Sequence, residues 1–239
     1  MNKLFYGDNL DILRDHIADA SVDLIYIDPP FNSKRNYNML WDEATAQTEA
    51  FKDTWSLRTV AGEEALIFES EPQRYSALHD VITSFDRLLK RRDPSLYAYL
   101  VNMGLRVVEL HRALKNTGSF YLHCDPTAGH YLKVLLDAVF EKKNFRNEII
   151  WCYSIGGTPK KDFARKHDVI YRYSKGSEWA FNEDSPLVRV PRKPDSHMKV
   201  VSDDDGRMWQ EKKDSSTGKL YRYPMDKVAP DYWPIEQLN

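Results

Sequence analysis

The sequence predicts an α/β fold: a parallel sheet whose strands alternate with helices, followed by an irregular C-terminal segment. Three observations predict it. Short β-branched runs alternate with helix-period runs along the first 174 residues. Val22-Asp23-Leu24-Ile25-Tyr26-Ile27 is mostly apolar and stops at Asp28-Pro29-Pro30-Phe31, as a buried strand does at the edge of its sheet. After Ser174 the periodicity is lost and Pro186, Pro191, Pro194, Pro224, Pro230 and Pro234 are scattered through the chain.

The elements follow in order. Leu4-Phe5-Tyr6 reads as a short strand ending at Gly7-Asp8, and Leu10, Ile12, Leu13 and Ile17 then recur at helix spacing, with Asp8 or Asn9 as the cap. Val22–Ile27 is the second strand. Residues 32–71 are polar, with Tyr37, Trp41, Phe51 and Trp55 interspersed. They are expected to hold at most short helices, and connections this long are usually functional or mobile. One helix takes its apolar face from Tyr75, Leu78, Val81, Ile82, Phe85, Leu88 and Leu89. The next takes it from Leu96, Tyr99, Leu100, Met103, Leu105, Val108 and Leu110, with Asp93-Pro94-Ser95 as its start signal and Asn116-Thr117-Gly118 ending it. Ser119–His123 is a third strand, Tyr131–Phe140 a helix, and 147–151 and 169–173 two more strands. A boundary is expected near 174–180, dividing the chain into residues 1–175 and 176–239.

Composition narrows the classes. The chain has 239 residues, 42% hydrophobic and 29% charged, enough for one substantial core and unlike fibrous or wholly disordered proteins. No stretch of 18 apolar residues exists, and the N-terminus lacks the apolar run of a secretory signal, so a cytoplasmic protein without membrane contact is expected. Cys124 and Cys152 are too few for a disulfide scaffold. The net charge of −2 is uninformative as a whole. Between 156 and 200, however, basic residues outnumber acidic ones and suit phosphate contacts or a solvated face; Lys160, Lys161, Arg165 and Arg192 are among them.

The strongest local signal is Asp28-Pro29-Pro30-Phe31. Ligands of open α/β sheets bind beyond the carboxyl ends of strands, and an Asp there sits over the site. Pro29 and Pro30 fix the backbone and remove two N–H donors. The Asp28 carboxylate and the Pro29 carbonyl then form an acceptor pair beside the ring of Phe31. A flat group bearing an exocyclic amine fits that arrangement. The alternative is that Asp-Pro-Pro merely turns a strand into a loop.

These residues carry a resemblance. Leu4–Leu13, Val22–Asn32, Leu114-Lys115 with Gly118–His123, Phe145–Trp151 and Lys166–Tyr171 run in the order found in the amino-directed DNA methyltransferases, which methylate adenine N6 or cytosine N4 from S-adenosylmethionine (SAM). The chain resembles most closely the circularly permuted group, including the modification subunits of type III restriction–modification systems. The resemblance implies a Rossmann-like sheet with helices on both faces, incomplete at the C-terminus, and a target-recognition region begun by the irregular segment. It implies that Asp28 and Pro29 accept the hydrogens of the target amine, that Phe31 stacks on a flipped-out base, and that SAM is the cofactor, held by Asp28 and Asp8. Asp8 would face the SAM adenine, a role compatible with capping a helix. Aspartate rather than serine at 28 favours adenine over cytosine. Duplex DNA is the implied partner, with a further C-terminal half or a restriction subunit beside it.

Other candidates are weaker. Asn32, Lys34, Arg35 and Tyr37 would clamp DNA or lie in a solvated loop. His123 and Asp125 would rim the pocket, Asp125 chiefly as a helix cap. His123, Cys124 and His130 lack a fourth ligand, and no metal is expected. Neither cysteine lies in the Pro-Cys loop that C5-cytosine methylation requires. The family's second motif, Asp-Pro-Phe with a glycine-rich turn for the SAM methionine, is absent from these residues. The chain by itself is therefore expected to bind SAM weakly, its first strand is expected to be poorly anchored, and a catalytically inactive DNA-binding fragment is the competing reading.

Overall fold

The computed structural model describes residues 2–31, 36–39, 48–52, 54–71, 73–154, 157 and 159–233, with 36–39, 48–52 and 232–233 described as backbone only. The chain divides into two compact units, Met1–Ala180 with Tyr232–Asn239, and Phe181–Asp231. Among the described residues no helix is long and apolar enough to cross a membrane.

The first unit contains helix α1 (Asn9–His16), strand β1 (Val22–Ile27), a hairpin of β2 (Asn36–Met39) and β3 (Thr48–Lys52), and α2 (Ala61–Ala65) running into a π-helical turn, Leu66–Ser70. It continues with α3 (Ser76–Leu89), α4 (Pro94–Ala113), β4 (Leu114–Cys124), α5 (Gly129–Phe140), β5 (Phe145–Cys152) and β6 (His167–Ser174). Capping follows the sequence signals. Asp8 Oδ1 accepts from the Leu10 amide at 2.8 Å, and Asp93 Oδ1 accepts from the Leu96 amide at 3.1 Å with Pro94 opening the helix. Asp125 accepts from the Thr127 amide and hydroxyl in the turn before α5.

The second unit holds β7 (Arg189–Pro191), β8 (Lys199–Ser202), β9 (Met208–Lys213), β10 (Leu220–Pro224) and β11 (Asp226–Val228). They form a three-stranded sheet in the order β10-β9-β8 and a two-stranded pair, β11 with β7. These strands are short and largely exposed, so they carry no hydrophobic alternation by which sequence would reveal them.

The main sheet has the order β1-β4-β6-β5-β12, where β12 (Tyr232–Trp233) returns to the first unit. It is mixed, not parallel as the alternation suggested. β1 runs parallel to β4 and β12 to β5, whereas β6 is antiparallel to both β4 and β5. The reason is local. Helix α5 gives the crossover that keeps β5 parallel to β4, but the described residues between β5 and β6 form no helix, so β6 turns back and inserts between them.

Leu4-Phe5-Tyr6 forms no strand: Leu4 and Tyr6 are fully exposed and Phe5 stacks on His16. The Asn116-Thr117-Gly118 break lies inside β4, where the register slips between Val22 opposite Leu114 and Leu24 opposite Ser119.

The core lies on one face of the sheet. Ile25, Phe120, Leu122, Tyr171 and Tyr173 are buried against α3, α4 and α5 through Leu78, Ile82, Leu100, Leu132 and Phe140. The other face carries Leu24, Tyr26 and Trp151, each about half exposed, so the expected cover of helices on both faces is not present among the described residues.

Candidate active site at the strand ends

β1 carries Ile25 and Ile27 into the core and then reaches Asp28, whose side chain remains 58% exposed. Asp28, Pro29 and Pro30 line a cavity of about 720 Å³, together with Tyr26 and Ile27 from β1, Gly7, Asp8 and Asn9 from the start of α1, and Trp55, Met103 and Arg106. The two carboxylates singled out by sequence, Asp8 and Asp28, thus border one cavity. Gly7 precedes Asp8 at φ +144°, a backbone conformation that side-chain-bearing residues rarely adopt, so the turn into α1 depends on glycine.

A polar network that sequence reasoning missed holds Asp8. The guanidinium of Arg106, nearly buried on α4, donates to both Asp8 oxygens at 2.8 and 3.0 Å, to Asn9 Oδ1 at 2.6 Å and to Glu63 Oε1 at 3.0 Å. Asn102, one turn earlier, donates to the same Glu63 oxygen at 2.8 Å. Asn102 and Arg106 interrupt an apolar helix four residues apart, and that signal was present in the sequence.

Beyond Asp28, His123 closes β4 with Nδ1 3.1 Å from Asp28 Oδ1 and Nε2 3.5 Å from Asp168 Oδ2. Phe31 meets the His123 ring edge-on, with centroids 5.3 Å apart. Asp168 Oδ1 accepts from the Tyr153 hydroxyl at 3.4 Å. Burial, with the Asp28 charge beside it, pushes the Tyr26 phenol above its ordinary pKa and keeps it neutral. Cys124 is buried, and burial raises its thiol far above the ordinary range, so no thiolate nucleophile exists there.

The predicted DNA contacts separate. Asn32, Lys34 and Arg35 lie outside the described residues, and of Tyr37 only the backbone, in β2, is described. Lys160, Lys161 and Arg165 are exposed in the connection between β5 and β6. That connection leaves and re-enters the sheet at the Asp28 end, as the pairings Ile27–Leu122, Cys124–Val169 and Cys152–His167 require. Arg192 belongs to the second unit, half-buried with its guanidinium over the Tyr223 ring. There, too, the guanidiniums of Arg207 and Arg222 lie 4.8 and 4.7 Å from the centroid of the Trp209 ring.

The model of the DNA methylase family matches residues 22–239, nearly the whole chain and both units. The chain belongs to the DNA methylase family. The chain is 27% identical over 153 residues to the type III restriction-modification enzyme StyLTI Mod subunit of Salmonella typhimurium, covering 63% of this chain and 20% of that protein. It is 22% identical over 183 residues to the EcoP15I Mod subunit of Escherichia coli, 75% and 25% of the two chains. It is 36% identical over 101 residues to the type II methyltransferase M.EcaI of Enterobacter cloacae, 41% and 21%. The chain thus spans a fifth to a quarter of the length of these curated relatives.

Proposed function

We propose that this chain is the target-binding portion of a SAM-dependent DNA methyltransferase of restriction–modification type, acting on the exocyclic N6 amine of an adenine flipped out of the duplex. The observation that carries the reading is the Asp28 carboxylate, exposed at the end of a core strand on the wall of an open cavity that Asp8 also borders. In this reading the sheet is the Rossmann-like half of the catalytic domain, residues 1–175. Residues 176–239 begin the target-recognition region, and the protein works in the cytoplasm. DNA is the partner, with a restriction subunit beside it, as the names of the Mod relatives suggest.

The chemistry asked of the residues is modest. The amine is a poor nucleophile because its lone pair is delocalised into the base. Asp28 and the Pro29 carbonyl accept its two hydrogens and favour a tetrahedral nitrogen, which frees the lone pair. When bound, SAM supplies an electrophilic methyl group on a sulfonium. As the methyl–sulfur bond broke to leave a neutral thioether, the nitrogen would gain positive charge, which Asp28 would stabilise before taking the proton the nitrogen sheds. Phe31 would stack on the base. The residues present suit the adenosine part of SAM: Asp8 offers an acceptor for its amine, and Ile12, Leu13 and Leu110 give an apolar wall in the same cavity. For the methionine part, these 239 residues hold no Asp-Pro-Phe segment followed by a glycine-rich turn. That absence favours a second reading of the isolated chain, a module that binds DNA without transferring methyl groups.

The test is to incubate the full-length protein with unmethylated duplex DNA and SAM, then identify the methylated nucleoside by mass spectrometry. N6-methyladenine is expected. N4-methylcytosine would correct the base, and no methylated base would refute the reading.

A further inference from the structure

The Asp28 carboxylate stands in solvent on most of its surface, yet the proposed reaction needs one of its oxygens aimed at a fixed point. A carboxylate on an open wall turns about two torsions unless something holds it. His123 is the group placed to hold it. Its Nδ1 lies 3.1 Å from Asp28 Oδ1, while Asp28 Oδ2 has no partner among the described residues and remains for a ligand.

The His123 ring is itself largely enclosed. Its side chain is only 19% exposed. Phe31 packs edge-on against the ring, and Nε2 is buried 3.5 Å from Asp168 Oδ2, without a hydrogen bond among the described residues. Asp168 is in turn approached by the Tyr153 hydroxyl at 3.4 Å. Asp28, His123, Asp168 and Tyr153 come from the ends of β1, β4, β6 and β5, so the line crosses one end of the sheet, and Asp28 alone of the four lines the cavity. An arrangement serving the fold alone would not place an aspartate on the cavity wall at its outer end, where it gives up hydration on one oxygen only.

The geometry points to His123 as the positioning residue of the methyl transfer: its Nδ1, 3.1 Å from Oδ1, fixes Asp28 so that Oδ2 meets the target amine. This rests on the reading of Asp28 proposed above. Methyl transfer to unmethylated DNA is measured in the full-length protein for the wild type, His123→Ala, His123→Asn and Asp28→Ala. In parallel, imidazole nitrogen resonances are recorded for the histidine-labelled 239-residue chain. His123→Ala should lower kcat by about 10²-fold, the cost of a reacting group misplaced by an ångström, with KM for DNA within two-fold. His123→Asn, whose amide nitrogen sits near the position of Nδ1, should recover most of that loss. Asp28→Asn should move the His123 resonances and Asp8→Asn should not.

Wild-type kcat in His123→Ala beside an inactive Asp28→Ala would overturn the inference and leave the function standing. Loss without recovery in the Asn variant, or His123 resonances unmoved by Asp28→Asn, would also overturn it. An active Asp28→Ala, or a wild type that transfers nothing, would instead overturn the reading on which it rests.

Discussion

Glu109 is a fully buried carboxylate on α4. Arg74 Nη2 donates to its Oε1 at 2.5 Å, Tyr75 Oη to the same oxygen at 3.3 Å, and Arg112 Nε to Oε2 at 2.8 Å; Arg14 Nε lies 3.8 Å away. Arg112 also donates to the carbonyls of Leu13 and Ile17, so this cluster fastens α1, whose first turn presents Asp8, to α4. Glu109→Gln keeps the shape, removes the charge and turns an amide donor toward arginine donors. Breaking a buried pair by removing one partner costs about 3–5 kcal/mol. The three arginines keep contact with water, at 21–40% side-chain exposure, so the lower end, about 3 kcal/mol, applies here. For a cooperative unit of this size, that lowers Tm by about 6–12 °C. Thermal and urea unfolding followed by circular dichroism measure it. A variant within about 1 kcal/mol of the wild type would refute the claim that Glu109 is the counter-charge on which α1 is mounted.

Three other perturbations have defined outcomes. Gly7→Ala forces a side chain into φ +144° and should cost about 1–3 kcal/mol; an unchanged melting temperature would show that the turn into α1 adapts. Burial against Phe140, with the nearby Lys175 charge, lowers the His111 pKa to about 4. From pH 6.5 down to 4 the unfolded chain therefore binds a proton that the folded chain refuses. Stability from this group is constant above 6.5 and falls through that window, and His111→Gln should flatten the fall in urea titrations. Replacing Lys160, Lys161 and Arg165 together by Ala should reduce the salt slope of duplex-DNA binding by about 2–3, near 0.9 for each phosphate left without its cation; an unchanged slope would place the phosphate-binding residues elsewhere.

The sequence revealed what is locally encoded. Asp8 and Asp93 cap the helices they precede because a carboxylate before an apolar periodic run satisfies orphan amides, and that requirement is visible in the chain. Asp28 stood out as the residue that ends an apolar run before two prolines, a pattern that a plain strand-to-loop turn also explains, and the structure puts it on a cavity wall. Strand direction was not. β6 is buried continuously over its last six residues, a pattern that suits either orientation, and only the connection between β5 and β6, which holds no helix among the described residues, sets it antiparallel. The site's second layer was legible in part. Arg106 and Asn102 stand out against the apolar residues of α4, but their partner Glu63 lies in a long polar connection where one acid resembles the next. His123 was seen as a rim residue only. Its place between Asp28 and Asp168 depends on β6 lying beside β4, a pairing that no spacing along the chain announces.

The most direct measurement is single-turnover methyl transfer to unmethylated duplex DNA by the full-length protein, comparing Asp28→Ala with the wild type at matched DNA occupancy. The account predicts that transfer is abolished while DNA affinity stays within a few-fold. Transfer at the wild-type rate would contradict it, because the amine would then be activated without the carboxylate at the end of β1.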